Sequence, residues 1–244
     1  MNSKEQQFFG IRLSLLTKQE TVAMILNAIA NQHSLSHCVV NVAKLVNAQH
    51  DEHLRSAINQ CDLINVDGMG IVWGARFLGI QVPERVAGID LMLALLKEAE
   101  LKAWSVYFLG AEAGVLKLAV QNIRQQFPQL NIVGWHHGYF KDNELEVVSL
   151  ITAVKPDLLF IGMSSPYKES FINRYSAKLK IPFLMGVGGS LDVMAGKVKR
   201  APKWMQQLGL EWLFRLSQEP RRMWRRYLVT NAIFLYMLGK AKLQ

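Results

Sequence analysis

Short apolar runs alternate along the chain with longer segments in which apolar residues recur every three or four positions. The short runs predict buried strands, and the longer segments predict amphipathic helices. The predicted strands are Cys38–Val42, Leu63–Val66, Ser105–Leu109, Asn131–Gly134, Leu158–Gly162 and Phe183–Val187. The predicted helices are Lys18–Asn31, Asp51–Gln60, Gly70–Leu78, Gly88–Glu100, Gly114–Gln126, Glu144–Val154, Tyr167–Leu179 and Ser190–Ala195. This alternation indicates an α/β fold, a Rossmann-like and mostly parallel sheet with helices on both faces.

The pattern changes after residue 195. Strand signals stop, and Pro202 and Pro220 divide a run of helical segments that are rich in tryptophan, arginine and leucine. We therefore divide the chain into a Rossmann-like domain, residues 1–195, and a basic helical appendage, residues 196–244.

The charge of the 244-residue chain is strongly positive, with a formal net value of +9. Residues 197–226 contribute nine lysines and arginines against only Glu211 and Glu219. Such a charge predicts an anionic partner, for which we consider nucleotide phosphates, a diphosphate lipid, an anionic membrane surface and nucleic acid. Nucleic acid is the weaker interpretation, because no recognised nucleic-acid-binding motif accompanies the charge.

The two cysteines, Cys38 and Cys61, lie in apolar runs, and we interpret them as reduced packing residues of a cytosolic protein. No set of zinc ligands and no Gly-x-Ser-x-Gly motif is found in the sequence. The N-terminus lacks the pattern of a signal peptide. The longest apolar stretch, 227–238, is shorter than the roughly 20 residues that cross a bilayer. We expect a chain that lies on a membrane without crossing it.

An aspartate and an arginine occupy two tight corners that are close in sequence. Asp67 ends the apolar run 63–66 and precedes Gly68, and Arg85 follows the next helical segment. Because ligands bind beyond the carboxyl ends of strands in such sheets, we expect Asp67 to act as a base and Arg85 to meet an anionic leaving group. The alternative for Asp67 is a helix N-cap, and one residue can serve both roles.

Two further corners between a strand and a helix are lined by glycine, one at Gly110 and one at Gly186, Gly188 and Gly189. Bare backbone amides at a helix start favour phosphate oxygens, so these corners predict a nucleotide pocket, although ordinary tight turns have the same composition. Asp192 is a candidate contact for the ribose or the uracil.

The glycines from Gly68 to Gly74 also suggest a nicotinamide-binding fold, with Asp90 as the ribose acid. Their spacing is one residue too long for the Gly-x-Gly-x-x-Gly pattern, and Asp90 follows a helical segment instead of a strand. A nicotinamide-dependent oxidoreductase remains a weaker alternative.

The segment 215–226 concentrates arginines, which bind diphosphates in a bidentate manner. With the apolar run that follows, it resembles an interfacial helix with a cationic flank. A solvated basic face on a helix that docks on the core is the simpler alternative.

Seven segments, in order along the chain, resemble the WecG/TagA/CpsF glycosyltransferases, glycosyltransferase family 26. These segments are 66–72, 84–90, 108–111, 138–140, 186–192, 200–202 and 209–212. The resemblance covers about residues 38–226. It implies an inverting, metal-independent and cofactor-free transfer of a sugar from a UDP-sugar to a polyprenyl-diphosphate-linked sugar in bacterial cell-surface polysaccharide synthesis. The donor sugar is N-acetylmannosamine, its uronate or a hexose such as glucose.

The resemblance also implies a place and a set of site residues. It places the protein in the cytoplasm, peripheral on the inner face of the cell membrane, with the appendage as the docking element; self-association stays open. Asp67 matches the proposed base and Arg85 an active-site arginine. The implied substrate-binding residues also include Asn41, Lys44, Tyr139, Lys168, Arg215, Arg222 and Arg225.

Two positions depart from the family pattern. Ala43 stands where the family has an acidic residue, and Lys168 stands where glutamine is usual. Both positions lie near the sugar in the family, so the donor or acceptor sugar can differ, and a lysine can pair with a carboxylated sugar or an extra phosphate. The departures also leave open a catalytically silent, membrane-associated assembly factor of the same fold.

Overall fold

The computed structural model describes residues 4–243, apart from the side chain of Arg222. The strands of this described part are β1 (Glu5–Phe8), β2 (Ile11–Ser14), β3 (Leu35–Val40), β4 (Leu63–Val66), β5 (Ser105–Gly110), β6 (Asn131–His136), β7 (Leu158–Gly162) and β8 (Phe183–Gly186). Its α-helices are α1 (Lys18–Ala30), α2 (Val42–His50), α3 (Glu52–Asn59), α4 (Met69–Phe77), α5 (Gly88–Leu101), α6 (Ala113–Gln126), α7 (Glu144–Val154), α8 (Tyr167–Leu179), α9 (Ser190–Met194), α10 (Lys203–Gln207), α11 (Glu211–Gln218) and α12 (Pro220–Lys242).

Six strands form one parallel sheet in the order β4-β3-β8-β7-β5-β6. β1 and β2 form a separate antiparallel hairpin. The hairpin packs beside β4, where the Ile64 amide donates a hydrogen bond of 3.0 Å to Ser14 Oγ. The predicted α/β, Rossmann-like fold is confirmed.

Helices cover both faces of the sheet because successive strand residues point to opposite sides. In β5, Val106 and Phe108 pack with α1, α5 and α6, whereas Tyr107 and Leu109 pack with α7 and α8. The half of the second face that lies over β3 and β4 is covered by α2, α3, α4 and α12. The strands β3, β4, β5, β7 and β8 therefore lie between two apolar layers, whereas the edge strand β6 has no fully buried residue.

The second half of α12 belongs to this core. Phe234 and Leu238 are buried in the same apolar cluster as β3 and β4. Gly74 makes the close approach possible, since a Cβ atom there would lie 2.5 Å from the Phe234 ring. The end of the appendage is thus part of the packing that stabilises the sheet.

Three elements differ from the sequence-based prediction. The hairpin β1–β2 and the helix α2 were not predicted, and the strand predicted over Cys38–Val42 instead spans Leu35–Val40, because α2 begins at Val42. Asn41 ends the strand as the N-cap of α2, accepting a hydrogen bond of 3.0 Å from the Lys44 amide. The other predicted strands and helices agree with the observed ones to within two residues at each end.

Candidate active site

The loops that leave the six parallel strands lie at one edge of the sheet and hold most of the predicted site residues. Asp67 follows β4, Asn41 follows β3, Gly186 ends β8, Gly110 ends β5, and Tyr139 lies beyond β6. The register aligns these strand ends, pairing Val40 with Val66, Ile161 with Gly186, and Gly110 with Gly162. The predicted corners therefore share one surface.

Asp67 occupies the sharp turn between β4 and α4. Its amide donates a hydrogen bond of 2.8 Å to the Val40 carbonyl, which fixes the backbone at the end of the sheet. The N-cap of α4 is Gly68, whose φ of +134° is strained for any residue with a side chain. No side-chain hydrogen bond caps α4. The carboxylate of Asp67 is therefore not used as a helix cap.

Several charged groups surround the Asp67 carboxylate, which is only partly exposed. Burial raises the pKa of Asp67 above its ordinary value, and the nearby Glu211 carboxylate raises it further. Arg85, Arg215 and a hydrogen bond from the Gly88 amide at the start of α5 lower the pKa, but the net direction is upward. A carboxylate with a raised pKa is a better proton acceptor than an ordinary surface aspartate.

Arg85 lies in the connection between α4 and α5, and it is held from the appendage. Its guanidinium forms a salt bridge with Glu211, the first residue of α11. The same carboxylate lies 3.7 Å from Arg200 Nε, and Arg200 Nη2 lies 2.6 Å from Asp90 Oδ2. Charges of alternating sign therefore link α5 with the segment that leads into α10 and α11.

The glycine corners are shaped by close approach of neighbouring groups. A Cβ atom on Gly110 would lie 2.5 Å from the backbone of Gly162, and one on Gly186 would lie 2.8 Å from the Lys168 side chain. Gly188 has φ of +52° and faces open space. A Cβ atom on Gly189 would lie 3.5 Å from Arg215 Nη2.

Asp192 lies beside the same corner. Its Oδ2 would be 3.7 Å from a Cβ atom on Gly189. The turn after β8 thus brings the open space at Gly188, a guanidinium and a carboxylate to one place.

Lys44 and Lys168, which the resemblance assigns to substrate, are instead buried beneath this edge. Both Nζ atoms bind Oε1 of the fully buried Glu169, at 2.7 and 2.6 Å, and Lys44 also donates to the Val39 carbonyl. Burial, with help from Lys44, lowers the pKa of Lys168 to about 8. Although burial opposes it, the two lysines lower the pKa of Glu169 to about 2. The cluster ties α2 to α8 and lies against Val39 of β3 and Gly186 of β8.

Three predicted site residues remain: Tyr139, Arg222 and Arg225. Tyr139 is 72% exposed beyond β6, and because β4 and β6 are opposite edge strands, about 24 Å separates the two ends. Arg225 is exposed on α12, and the side chain of Arg222 lies outside the part that the structure describes.

Two residues near Asp67 were not predicted from the sequence. Tyr227 of α12 interacts electrostatically with Asp67 and Arg215, and its pKa is raised chiefly by burial. Glu211 was counted as an acidic residue of 197–226 and lies in the resemblance segment 209–212, but it was given no role in the site. The sequence does single out Glu211, because it is one of only two acidic residues among the nine lysines and arginines of 197–226. No comparable pattern marks Tyr227.

Within residues 4–243, no group of three or more histidine, cysteine, aspartate or glutamate side chains is placed to hold a metal ion. The glycines that suggested a nicotinamide site serve packing, because Gly70 faces Val42 and Gly74 faces Phe234.

A partly buried carboxylate that lies beside arginines at the carboxyl edge of a parallel sheet is typical of an α/β group-transfer enzyme. Such a site offers a base for proton removal and cations for the charge that develops on a leaving group.

The chain belongs to the WecG/TagA/CpsF family of glycosyl transferases, whose family model matches residues 6–244. A protein from Bacillus spizizenii is 36% identical over 181 residues, covering 74% of this chain and 70% of the relative. One from Staphylococcus aureus is 33% identical over 244 residues, covering 99% of this chain and 94% of the relative. Both are named N-acetylglucosaminyldiphosphoundecaprenol N-acetyl-beta-D-mannosaminyltransferase. The predicted family and the glycosyltransferase activity are confirmed.

Proposed function

We propose that this chain transfers a sugar from a UDP-sugar to a sugar carried on polyprenyl diphosphate, with inversion at the anomeric carbon and without a metal ion. The observation that supports this proposal is the position of Asp67 at the end of β4 beside Arg85 and Arg215. The names of the two relatives supply the acceptor class, a diphosphoundecaprenol that bears N-acetylglucosamine.

The transfer is a single in-line displacement. The acceptor hydroxyl oxygen forms a bond with the anomeric carbon while its proton passes to the Asp67 carboxylate. The bond from the anomeric carbon to the diphosphate oxygen breaks, and its electron pair stays on the departing UDP. Base assistance of this kind contributes roughly 10²–10⁴-fold. Because the pKa of Asp67 is raised, the rate falls as pH drops through that pKa.

Arginines neutralise the charge that grows on the diphosphate, which is the role that a divalent ion has in other transferases. Arg85 and Arg215 lie close enough to affect Asp67, and Arg215 also reaches the corner at Gly189. We assign the nucleotide to the corner at Gly188 and Gly189 beside Asp192, where Gly188 faces open space.

For the donor we propose N-acetylmannosamine in preference to its uronate. Lys168 is the residue that suggested a carboxylated sugar, but its ammonium group is buried and already pairs with Glu169. Ala43 is buried as well. Neither departure from the family pattern presents a charge to the sugar.

The acceptor lipid places the reaction at a membrane surface, and we propose that the appendage, residues 196–244, docks there at the cytoplasmic face. The outer face of α12 is apolar, with Trp224, Leu228, Leu235 and Tyr236 each at least half exposed. Arg221, Arg225 and Arg226 lie at its N-terminal end. An apolar face with a cationic end matches an anionic lipid surface. None of the described helices is long and apolar enough to span a bilayer.

A transfer assay with the full chain tests the catalytic proposal. The acceptor is N-acetylglucosamine on a short polyprenyl diphosphate, and the donors are UDP-N-acetylmannosamine, its uronate and UDP-glucose, each with magnesium or with EDTA. We expect transfer from UDP-N-acetylmannosamine at the same rate in both buffers. Loss of activity in EDTA would refute metal independence, and UDP binding without any transfer would favour the assembly-factor alternative.

Flotation with vesicles of anionic or zwitterionic lipid tests membrane docking. Leu228→Gln should weaken binding to anionic vesicles, whereas Leu150→Gln, an exposed leucine on α7, should not. Equal binding of both variants and the wild type would place the docking surface elsewhere.

A further inference from the structure

Glu211 connects the appendage to the catalytic arginine. It begins α11, and its carboxylate lies between Arg85 and Arg200, with a salt bridge to the first and a distance of 3.7 Å to the second. Arg200 Nε is buried and has no hydrogen-bond partner among the described residues, so charge alone links it to Glu211. Asp90 holds the other end of Arg200 at 2.6 Å.

The arrangement constrains Arg85 more than a surface ion pair would. The Arg85 side chain is only 13% exposed and that of Glu211 only 28%. Long side chains that are enclosed and paired in this way lose the rotamer freedom that weakens exposed pairs. The direction of the Arg85 guanidinium is therefore set by a residue of α11.

The same carboxylate belongs to the surroundings of Asp67. The groups that face Asp67 are Arg85 from the connection before α5, the Gly88 amide of α5, Glu211 and Arg215 of α11, and Tyr227 of α12. Among these neighbours Glu211 is the anionic one.

We propose that Glu211 is a positioning residue of the transfer reaction, which aims Arg85 at the leaving diphosphate and sets the charge balance around Asp67. The inference rests on the proposed transferase function. Glu211 does not touch the reacting atoms; it acts through Arg85 and through its field on Asp67.

The proposal has a signature in the pH profile. The negative charge of Glu211 raises the pKa of Asp67, so its removal lowers that pKa. The acid limb of kcat/KM then moves to lower pH. A residue that merely braces α11 would change the rate or the stability without moving this limb.

Three variants separate these possibilities. Glu211→Gln removes the charge at constant size, Glu211→Asp keeps the charge on a shorter side chain, and Glu52→Gln is a matched change at an exposed pair on α3. We expect Glu211→Gln to lower kcat/KM by about 10- to 100-fold and to move the acid limb to lower pH. Glu211→Asp should keep the limb in place with a smaller loss, and Glu52→Gln should change neither quantity.

A second measurement does not depend on turnover. The titration of the Asp67 carboxyl can be followed by carbon-13 NMR, with Asp67→Asn identifying its resonance, and Glu211→Gln should lower its midpoint. An unmoved limb and an unmoved midpoint in folded Glu211→Gln would overturn the inference. If the wild type transfers no sugar while the midpoint moves, the proposed function fails and the electrostatic role of Glu211 survives.

Discussion

Replacing Glu169 tests how much the buried ion pairs of Glu169 with Lys44 and Lys168, beneath the candidate site, contribute to stability. Its carboxylate is fully buried, and one oxygen, Oε1, accepts hydrogen bonds from both Lys44 and Lys168, while Oε2 has no hydrogen-bond partner in the described structure. Glu169→Gln keeps the shape of the side chain but leaves two buried ammonium groups without a counter-charge.

The expected cost follows from this geometry. Breaking a buried ion pair by removing one partner typically costs about 3–5 kcal/mol. We expect the lower end, about 3 kcal/mol, because Lys168, whose pKa is already lowered to about 8, can release its proton. Without the Glu169 carboxylate, which favours the charged form of Lys168, the pKa of Lys168 in the folded variant should fall further below that of the unfolded chain. The loss should therefore shrink as pH rises, because the folded variant releases this proton while the unfolded chain still keeps it.

Lys168→Gln is the matched comparison, and it should behave differently. Burial and Lys44 disfavour the charged form of Lys168, and its removal leaves Lys44 and Glu169 as a balanced pair at 2.7 Å. We expect its unfolding free energy to stay within about 1 kcal/mol of the wild type. Urea unfolding, followed by circular dichroism, measures both variants. Equal losses in the two variants, or a loss below about 1 kcal/mol in Glu169→Gln, would refute the reasoning.

Two further predictions concern stability. Burial lowers the pKa of His37 from 6.5 to about 4, so the wild type should lose about 3 kcal/mol as pH falls through that window. His37→Gln should flatten this loss in urea titrations at several pH values, whereas His53→Gln, an exposed change, should not. Gly74→Ala should lower the free energy of unfolding by about 1–3 kcal/mol, because its Cβ atom would meet Phe234. Gly114→Ala, at a helix position that faces open space, should not destabilise the protein. Thermal unfolding scans compare the two variants. A destabilised Gly114→Ala or an unchanged Gly74→Ala would contradict the packing of α12.

The inner strands β5, β7 and β8 were predictable because they lie between two helix layers and are therefore nearly continuous apolar runs. The same property caused the error at β3, where the apolar run continues through Val42 into α2 and only the cap at Asn41 marks the boundary. The hairpin β1–β2 was missed because its strands are four residues long and its first strand is largely polar.

The residues of the candidate site could be predicted only where they directly follow a strand. Asp67 and the glycine corners could be placed because a carboxylate or a glycine after a buried strand must lie at the sheet edge. The ion pairs could not, since Glu169 is 125 residues from Lys44 and Glu211 is 126 residues from Arg85. The burial of Lys168 depends on the same tertiary contacts, so it could not be predicted from the sequence either.

The structure also changes how the appendage should be tested. Truncation after residue 195 would remove Phe234 and Leu238 from the core together with the basic residues of 197–226. Loss of activity in a truncated chain would then reflect lost packing as much as lost substrate contacts. Single arginine variants such as Arg215→Ala separate the two effects.

Single-turnover transfer by Asp67→Asn tests the central claim most directly, with Asp142→Asn, an exposed aspartate, as the matched control. The variant keeps the size of the side chain and loses the proton acceptor. We predict a fall in the rate of about 10²–10⁴-fold, with UDP affinity by calorimetry close to that of the wild type and of the control. Transfer by Asp67→Asn at the wild-type rate would contradict the assignment of Asp67 as the base.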